Sequence, residues 1–241
     1  MLRLSDVNVK FGKTPVLRDV SMTLPAGQTL AVVGESGAGK STLIATILGL
    51  TKLDKGLITW ANVPIKACRP SLVMQEPRAA FNPVLSLRRS ILEPLSAKRE
   101  VISETRLGQL CDRLELPLEM LDRKPREVSI GQAQRAGILR ALIAGSPLIL
   151  FDEPLSALDA VTQKHTAQLI ADLQTELGFA ALIVTHDLGY AAAFSDDIAV
   201  LREGRIEELT PTPAFVQNPQ SDYGQELRAA AFALGALEYV A

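Results

Sequence analysis

The sequence predicts an α/β fold: a doubly wound, mostly parallel core with an N-terminal antiparallel β subdomain and an inserted α-helical subdomain. Short continuous apolar runs such as TLAVV, PLILF and FAALIVT are typical of strands buried on both faces. Helical patterns separate these runs, as in doubly wound sheets. At the start of the chain, LRLSDVNVKF and VLRDVSMTL alternate apolar and polar residues, which predicts two antiparallel strands with one face in solvent.

Composition narrows the class of protein. The chain has 241 residues and 47% apolar content, enough for one large domain. Its 25 basic and 27 acidic residues give a net charge of −2, which argues against a nucleic-acid-binding surface. Cys68 and Cys111 lie outside any metal-ligand spacing, so we expect two free thiols. No signal peptide and no apolar run of about 18 residues is present, so we expect a soluble, cytoplasmic chain.

The pattern changes to helices between residues 82 and 135. SLRRSILEPLSA and ETRLGQLCDRLEL have helical spacing, and proline and charged residues lie at the borders of the stretch. We therefore interpret 82–135 as the inserted helical subdomain. Residues 1–81 and 136–210 then form the core with its antiparallel β subdomain, and 211–241 form a tail of one or two amphipathic helices.

Residues 34–42, GESGAGKST, fit the phosphate-binding pattern G-x-x-x-x-G-K-[ST] between an apolar strand and a helix. Gly34, Gly37 and Gly39 let the backbone turn its N–H groups inward, with no Cβ to block a phosphate. The following helix points the positive end of its dipole at the same place, and Lys40 supplies a charge to the β and γ phosphates. A glycine-rich turn with a chance lysine explains less, because strand, turn, Lys-Ser pair and helix all agree.

An acidic pair ends another apolar strand. LILFDEP places Asp152 and Glu153 at its carboxyl end, where open α/β sheets bind ligands. Asp152 suits a role in holding Mg²⁺, either through a water or through the hydroxyl of Ser41. Glu153 points to the other side of the strand end and can deprotonate a water, a contribution of typically about 10²–10⁴-fold in rate. The alternative, two N-caps of the next helix, is weaker beside a phosphate-binding loop.

Two histidines, a glutamine and a phenylalanine have distinctive positions in the sequence. His186 follows the run FAALIVT, so we favour a contact with the γ-phosphate, whereas His165 on a polar helix is expected at the surface. Gln75 ends SLVMQ, and its amide can reach Mg²⁺ or the attacking water, although a plain surface residue is equally consistent. Phe11 is either an exposed aromatic that stacks on adenine or a core phenylalanine.

With these pieces in order, the chain resembles the ATP-binding cassette (ABC) family from end to end. Phe11 lies where that family has its adenine-stacking aromatic, GESGAGKST looks like its Walker A and Gln75 like its Q-loop. LILFDE looks like Walker B, LSALD (155–159) like the D-loop and His186 like the switch histidine. SIGQAQR (129–135) looks like the signature sequence, usually L-S-G-G-Q. The resemblance implies a P-loop NTPase core, the ABC nucleotide-binding domain, which hydrolyses ATP with Mg²⁺.

The candidate residues fall into four sets. The catalytic residues are Glu153, His186 and Gln75. The expected Mg²⁺ ligands are Ser41, Gln75 and Asp152. The expected ATP-binding residues are Phe11, Val16, Gly34, Glu35, Ser36, Gly37, Ala38, Gly39, Lys40, Ser41 and Thr42. The signature and D-loop residues, expected to act on a second subunit's nucleotide, are Ser129, Ile130, Gly131, Gln132 and Asp159.

In that family the signature loop caps the γ-phosphate held by the P-loop of a second subunit. Ser129 offers a hydroxyl, Gly131 an unobstructed N–H, and the helix from Gln132 a positive dipole end. The resemblance implies two nucleotides sandwiched between head-to-tail protomers, whose separation after hydrolysis drives a membrane partner. Ile130 replaces the first signature glycine, and a β-branched residue resists φ > 0. Either the loop keeps ordinary dihedrals, or the chain caps its partner's ATP less well, as in a heterodimer with unequal sites.

Two segments resemble one branch of the family, the importers for peptides, nickel and metal–opine complexes. These are MQEPRAAFNPVLSL (74–87) and TPAFVQNPQSDYGQELRAAA, near the end of the chain. The absence of a longer extension suits nickel-type subunits, which usually come as two different ATPases, so a heterodimer is favoured over a homodimer. Phe81, Val84, Leu85 and Leu92 are either a groove for a coupling helix of a permease or the insert's own core.

The resemblance also implies partners and a location. The expected partners are a second ABC ATPase subunit, transmembrane permease subunits and, indirectly, a substrate-binding protein, but no nucleic acid. The expected location is peripheral, on the cytoplasmic face of the inner membrane. The alternative is an ABC-type ATPase of a cytoplasmic non-transport complex, such as a carbon–phosphorus lyase assembly.

Overall fold

Two β-sheets organise residues 1–237, the part of the chain that the computed structural model describes. The four-stranded sheet has the order β2-β1-β4-β5, and the six-stranded sheet has the order β10-β9-β3-β8-β7-β6. The strands are β1 (Leu2–Phe11), β2 (Thr14–Leu24), β3 (Thr29–Val33), β4 (Lys55–Trp60), β5 (Val63–Pro64), β6 (Ser71–Val73), β7 (Leu148–Asp152), β8 (Ala180–Thr185), β9 (Asp197–Arg202) and β10 (Arg205–Pro211). The helices are α1 (Lys40–Ile47), α2 (Ile65–Cys68), α3 (Leu87–Lys98), α4 (Glu104–Arg113), α5 (Ile130–Ile143), α6 (Ala160–Leu177), α7 (Leu188–Phe194), α8 (Thr212–Gln217) and α9 (Asp222–Ala233).

The smaller sheet is the predicted antiparallel subdomain. β1 pairs antiparallel with β2 on one side and with β4 on the other. Its buried residues follow the predicted period of two, except that Leu4 is followed by Val7. Asp6, with φ of 48°, lies in a bulge between them, and the bulge restores the apolar face after one extra residue.

The larger sheet confirms the parallel core. β3 lies between β8 and β9 and is parallel to both, and every residue of β3 and β8 is buried. β7 and β6 continue the parallel set, while β10 turns back antiparallel on β9. The carboxyl ends of β3, β8, β7 and β6 therefore lie side by side at one edge, with Val33 beside Thr185 and Asp152 beside Val184.

Residues 82–135 contain α3, α4 and the first turns of α5, and two short 3₁₀ turns lie between α4 and α5. α5 runs from Ile130 to Ile143 without a break, so the expected boundary between residues 135 and 136 falls inside a helix. The insert does not have a separate core either. Phe81, Leu87 and Ile91 belong to one buried cluster with residues of β7 and β8, and this shared packing fixes the insert against the central sheet.

Phe81, Val84, Leu85 and Leu92 were expected to form either a docking groove for a permease helix or the core of the insert, and they do not all fit the same interpretation. Phe81 is buried, with the Arg140 guanidinium 4.8 Å from its ring centroid, and Leu92 packs against the same core cluster. Val84 is 73% exposed. Phe81 is therefore a core residue, Leu85 is half-buried, and Val84 is the most exposed of the four.

The C-terminal tail forms α8 and α9, in agreement with the expected amphipathic helices, and residues 238–241 of that tail lie outside the described residues. Phe215 and Tyr223 bury their side chains in a cluster with Ala31 and Val33 of β3. The tail thus packs directly behind the strand that leads into the phosphate-binding loop. Both cysteines are free thiols. Among residues 1–237, no helix is both long and apolar enough to cross a membrane.

Candidate active site

The phosphate-binding loop connects β3 to α1, as predicted. Gly37 and Gly39 have φ of 85° and 109°, a conformation that glycine adopts without strain. Gly39 is the N-cap of α1, and no side chain accepts a hydrogen bond from the first N–H groups of that helix. These donors and the positive end of the helix dipole are consequently available to an anion.

Gly34 is needed for a reason that the sequence did not indicate. A Cβ at this position would lie 2.1 Å from the carbonyl oxygen of Leu201 on β9. Its φ is not in the positive region, so close contact with β9, and not access for a phosphate, requires glycine here. The expected place of Gly34 beside a phosphate stays a prediction.

We expect Gly34→Ala to destabilise the chain by about 1–3 kcal/mol or more, because two paired strands must separate to admit the methyl group. Gly108→Ala is the matched control, since a Cβ at Gly108 on α4 meets nothing within 4 Å. It should stabilise the helix by about 0.5–1 kcal/mol. Urea unfolding midpoints measure both changes, and equal stability of Gly34→Ala and wild type would contradict the packing argument.

Lys40 is almost completely buried, and its ammonium group donates to backbone carbonyls of the phosphate-binding loop. Its Nζ donates to the carbonyl oxygens of Gly34 at 2.7 Å and Glu35 at 3.0 Å, and it lies 3.9 Å from Oε1 of Glu153. Burial lowers the pKa of the Lys40 ammonium, and the nearby carboxylates of Glu153 and Asp152 oppose this shift. The charge therefore sits between the loop and the acidic pair, where a phosphate would meet it.

Asp152 lies at the carboxyl end of β7, opposite the start of α1. The hydroxyl of Ser41 donates to Oδ1 of Asp152 at 3.4 Å. Burial raises the pKa of the Asp152 carboxyl, and the neighbouring Glu153 carboxylate raises it further. A cation here would relieve both effects, and a hydroxyl with a carboxylate is the oxygen donor set that Mg²⁺ prefers. The two side chains thus fit a magnesium ion.

Glu153 and His186 form a pair at the ends of adjacent strands. Nδ1 of His186 lies 2.6 Å from Oε2 of Glu153. The Glu153 side chain is only 12% exposed, whereas that of His186 is 66% exposed. Glu153 has φ of 47°, and this left-handed turn at the end of β7 directs its carboxylate towards Lys40 and His186.

The alternative role of the acidic pair as N-caps does not hold. α6, the next helix, is capped by Asp159, whose Oδ1 accepts from the N–H of Thr162 at 3.0 Å and whose Oδ2 accepts from the hydroxyl of Thr162 at 2.7 Å. These hydrogen bonds lower the pKa of the Asp159 carboxyl. Asp159 is exposed, so its expected role towards a second subunit stays a prediction.

These elements enclose a cleft of about 650 Å³. Its lining residues are Val16, Ser36, Gly37, Gly39, Lys40, Ser41, Thr42, Gln75, Glu153 and His186. All were expected from the sequence, and Gln75 lies two residues beyond β6. Of the other expected ATP residues, Ala38 is buried and Phe11 is 56% exposed, which excludes a core phenylalanine. The N–H of Glu35 is turned away from the cleft, towards Tyr223.

The signature residues lie outside this cleft, on the surface of the same chain. Ser129 is the exposed N-cap of α5, with its Oγ accepting from the N–H of Gln132 at 3.1 Å, while Oε1 of Gln132 accepts from the N–H of Ser129 at 2.9 Å. Ile130 is the first residue of the helix, has no positive φ and is 42% exposed. The turn therefore keeps its shape with ordinary dihedrals, and the effect of the exposed isoleucine side chain on a partner's ATP stays a prediction.

The signature helix is also tied to α6 by residues that sequence reasoning left without a role. Arg135 donates to the carbonyl oxygen of Glu115 at 3.1 Å and lies 3.3 Å from Nδ1 of His165. His165 in turn contacts the Glu115 carboxylate at 3.0 Å. His165 is a surface residue as expected, but it joins the helical insert to the helix that follows Asp159.

The family model for "ABC transporter" matches residues 17–156. The chain belongs to the ABC transporter family. The cassette resembles the oligopeptide transport ATP-binding protein OppF of Escherichia coli (strain K12), with 34% identity over 88% of this chain and 67% of that one. It resembles the metal-staphylopine import system ATP-binding protein CntF of Staphylococcus aureus (strain Mu50), with 30% identity over 94% of this chain and 97% of that one. The predicted resemblance to the peptide and metal importer branch is confirmed by these relatives.

Solved cassettes share the fold. The dimeric ATP-binding cassette MJ0796, in a post-hydrolysis state bound to ADP and Pi, superposes with a TM-score of 0.77 at 29% identity, covering 88% of this chain and 99% of that one. CbiO1 from Clostridium perfringens superposes with a TM-score of 0.79 at 22% identity, covering 97% of this chain and 96% of that one, which supports the fold alone. The cassette is accordingly an ATPase domain with the predicted α/β architecture.

Proposed function

We propose that the cassette energises a membrane importer of the peptide, nickel or metal-chelate type, as one of two head-to-tail ATPase protomers. One observation carries this proposal: Lys40, Glu153 and His186 converge on a single cleft, while the signature turn lies outside that cleft with Ser129 and Ile130 exposed. A signature turn on the outer surface has no triphosphate of its own to cap. A second protomer that faces it supplies one.

The residues of the cleft suit in-line attack of water on a γ-phosphate. Glu153 accepts the proton of the water, and the 2.6 Å contact with His186 fixes the orientation of its carboxylate. Lys40 leaves the loop carbonyls and neutralises the charge on the β and γ phosphates. Gln75, at the rim of the cleft, orients the water or completes the metal site.

Ser41 and Asp152 would hold Mg²⁺, with Gln75 as a third candidate ligand. When bound, Mg²⁺ neutralises the charge that develops on the transferred phosphoryl group. Within residues 1–237, no group of three or more His, Cys, Asp or Glu side chains is placed to hold a metal ion. We therefore expect the ion to take its remaining ligands from phosphate oxygens and water, which makes metal binding dependent on the nucleotide.

The protomer interface follows from the same geometry. Within residues 1–237 the Ser129 hydroxyl accepts from the N–H of Gln132 and donates no hydrogen bond, so its hydrogen is available to a partner. Asp159, on the exposed turn before α6, lies on the same outer surface as a contact for the partner. The post-hydrolysis dimer of MJ0796 supports a dimer here by similarity. We propose a heterodimer in preference to a homodimer, since Ile130 departs from the signature glycine.

We expect Ile130→Gly to raise ATP turnover of the assembled complex if the isoleucine side chain hinders capping of the partner's nucleotide. The backbone of residue 130 already has helical dihedrals, so the variant changes bulk and not the position of the N–H. Val101→Gly, which removes a 96% exposed β-branched side chain elsewhere, is the control. A steady-state phosphate-release assay compares them. Unchanged turnover in Ile130→Gly would remove the basis for unequal sites.

The transported substrate class rests on the relatives. OppF of Escherichia coli is named for oligopeptide transport and CntF of Staphylococcus aureus for metal-staphylopine import. The cassette would act at the cytoplasmic face of the inner membrane, bound to permease subunits that receive a substrate-binding protein. The alternative is the ATPase of a cytoplasmic assembly such as a carbon–phosphorus lyase.

Co-purification separates these two functions. The tagged chain is isolated from detergent-solubilised membranes and from the soluble fraction of the same cells, and bound proteins are identified by mass spectrometry. Permease subunits and a second cassette in the membrane fraction support the importer. Recovery only with soluble enzymes of phosphonate cleavage would replace it with the alternative.

A further inference from the structure

Tyr223, at the start of α9, contacts the phosphate-binding loop from behind. Its hydroxyl oxygen accepts a hydrogen bond from the backbone N–H of Glu35 at 3.1 Å. The side chain is 7% exposed, and it lies 188 residues from Glu35 in the sequence. Burial raises the pKa of the Tyr223 hydroxyl, so the group stays protonated at neutral pH. None of the sequence motifs assigned a role to this residue.

The contact acts on one particular peptide unit. The N–H of Glu35 and the carbonyl of Gly34 belong to the same planar trans peptide. Tyr223 holds the N–H end of that peptide, and Lys40 Nζ holds its carbonyl oxygen at 2.7 Å. Tyr223 from the tail and Lys40 from the loop therefore bind opposite ends of the same peptide group.

Tyr223 is itself held by contacts outside the loop. The Arg202 guanidinium lies 4.6 Å from its ring centroid. The buried carboxylate of Glu208 on β10 accepts from the N–H of Gln220 at 2.9 Å, from the N–H of Ser221 at 2.9 Å and from the hydroxyl of Ser221 at 2.8 Å. Ser221 then caps α9. The tail is thus attached to the sheet immediately before the tyrosine, and the hydroxyl has little freedom to move.

We propose that Tyr223 is a positioning residue for nucleotide binding, through which the C-terminal helices set the affinity of the loop for ATP. When Lys40 leaves the carbonyl of Gly34 to reach the phosphates, the hydrogen bond to Tyr223 still fixes the position of that peptide. The first turn of the loop then keeps the conformation in which the N–H groups of the following residues point at the phosphates. This inference rests on the ATP site proposed above.

The test replaces Tyr223 with phenylalanine in the full-length chain, which removes the hydroxyl and leaves the ring under Arg202. We expect the Kd for a fluorescent ATP analogue to rise by about 2- to 10-fold, the range of one neutral hydrogen bond. The hydrolysis rate of the assembled complex at saturating ATP should stay unchanged, because no atom of Tyr223 lines the cleft. Amide hydrogen exchange in the peptide that contains Glu35 should become faster.

Tyr190→Phe is the matched control. Tyr190 is also a buried tyrosine, and its hydroxyl has no hydrogen-bond partner among the described residues. Its removal should leave both ATP affinity and exchange at Glu35 unaltered. Glu208→Gln weakens the attachment of the tail without touching the loop, and it should shift the Kd in the same direction as Tyr223→Phe.

Three outcomes are distinguishable. A higher Kd with faster exchange at Glu35 in Tyr223→Phe, and neither change in Tyr190→Phe, supports the positioning role. Wild-type affinity and exchange in Tyr223→Phe, or equal losses in both tyrosine variants, overturns it. A wild-type chain that binds no ATP contradicts the proposed function itself, independently of Tyr223.

Discussion

Glu153→Gln is expected to bind ATP, to lose hydrolysis by about 10²–10⁴-fold, and to trap a dimer of cassettes. The amide keeps the shape of the side chain but cannot accept the proton of the attacking water. Removal of the negative charge beside Lys40 and Asp152 also reduces repulsion towards the triphosphate, so affinity should be retained or increased. Phosphate release measures the turnover, and size-exclusion chromatography with and without ATP measures the dimer.

Glu203→Gln is the matched control for this variant. Glu203 has φ of 46°, close to the 47° of Glu153, so both substitutions place glutamine in the same left-handed conformation. Glu203 is exposed and does not line the cleft. Its replacement should leave turnover and oligomeric state at wild-type values. Near wild-type hydrolysis by Glu153→Gln would assign the base to another residue.

Lys40→Ala is expected to weaken ATP binding by about 10- to 100-fold, since a charged hydrogen bond contributes about 1.5–3 kcal/mol. The variant has a second effect, because the carbonyl of Gly34 loses the Lys40 donor and that of Glu35 keeps only the N–H of Ala38 in the nucleotide-free chain. A modest fall in the unfolding temperature without ATP should therefore accompany the loss of affinity. Titration with a fluorescent ATP analogue and thermal unfolding measure the two effects separately.

Ligand linkage connects the two measurements. ATP stabilises the wild-type chain in proportion to the logarithm of its concentration relative to the Kd, and this stabilisation should largely disappear in Lys40→Ala. Lys98→Ala serves as control, because Lys98 also donates to a backbone carbonyl, that of Ala144 at 2.6 Å, but lies outside the cleft. An ATP-dependent rise in melting temperature equal to that of wild type would show that Lys40 does not bind the phosphates.

Most of the cleft was predictable because its residues follow short apolar strands. The loop after β3, the acidic pair at the end of β7 and His186 after β8 each stand beside a run that sequence alone identifies as a buried strand. The parallel order β3-β8-β7-β6 then brings their carboxyl ends together. Local pattern and strand order agree here, so the lining of the cleft matched the expected residues.

Other features were not accessible from local pattern. Tyr223 reaches Glu35 across 188 residues of sequence, and Gly34 is required by a carbonyl of β9 that comes long after it in the chain. The contacts of the exposed Asp159 and Ser129 with a second subunit stay predictions, because they depend on the surface of another chain. The continuity of α5 across the expected boundary depends on packing of the insert against the sheet.

Residue types at fixed short spacings were enough to predict the family and the residues that line the nucleotide cleft. The core position of Phe81, the contact of Gly34 with Leu201 and the support of the loop by Tyr223 became known from the packing of the whole chain. Contacts of this second kind join segments far apart in the chain. Their distances follow from how the sheet and helices pack, which no local pattern contains.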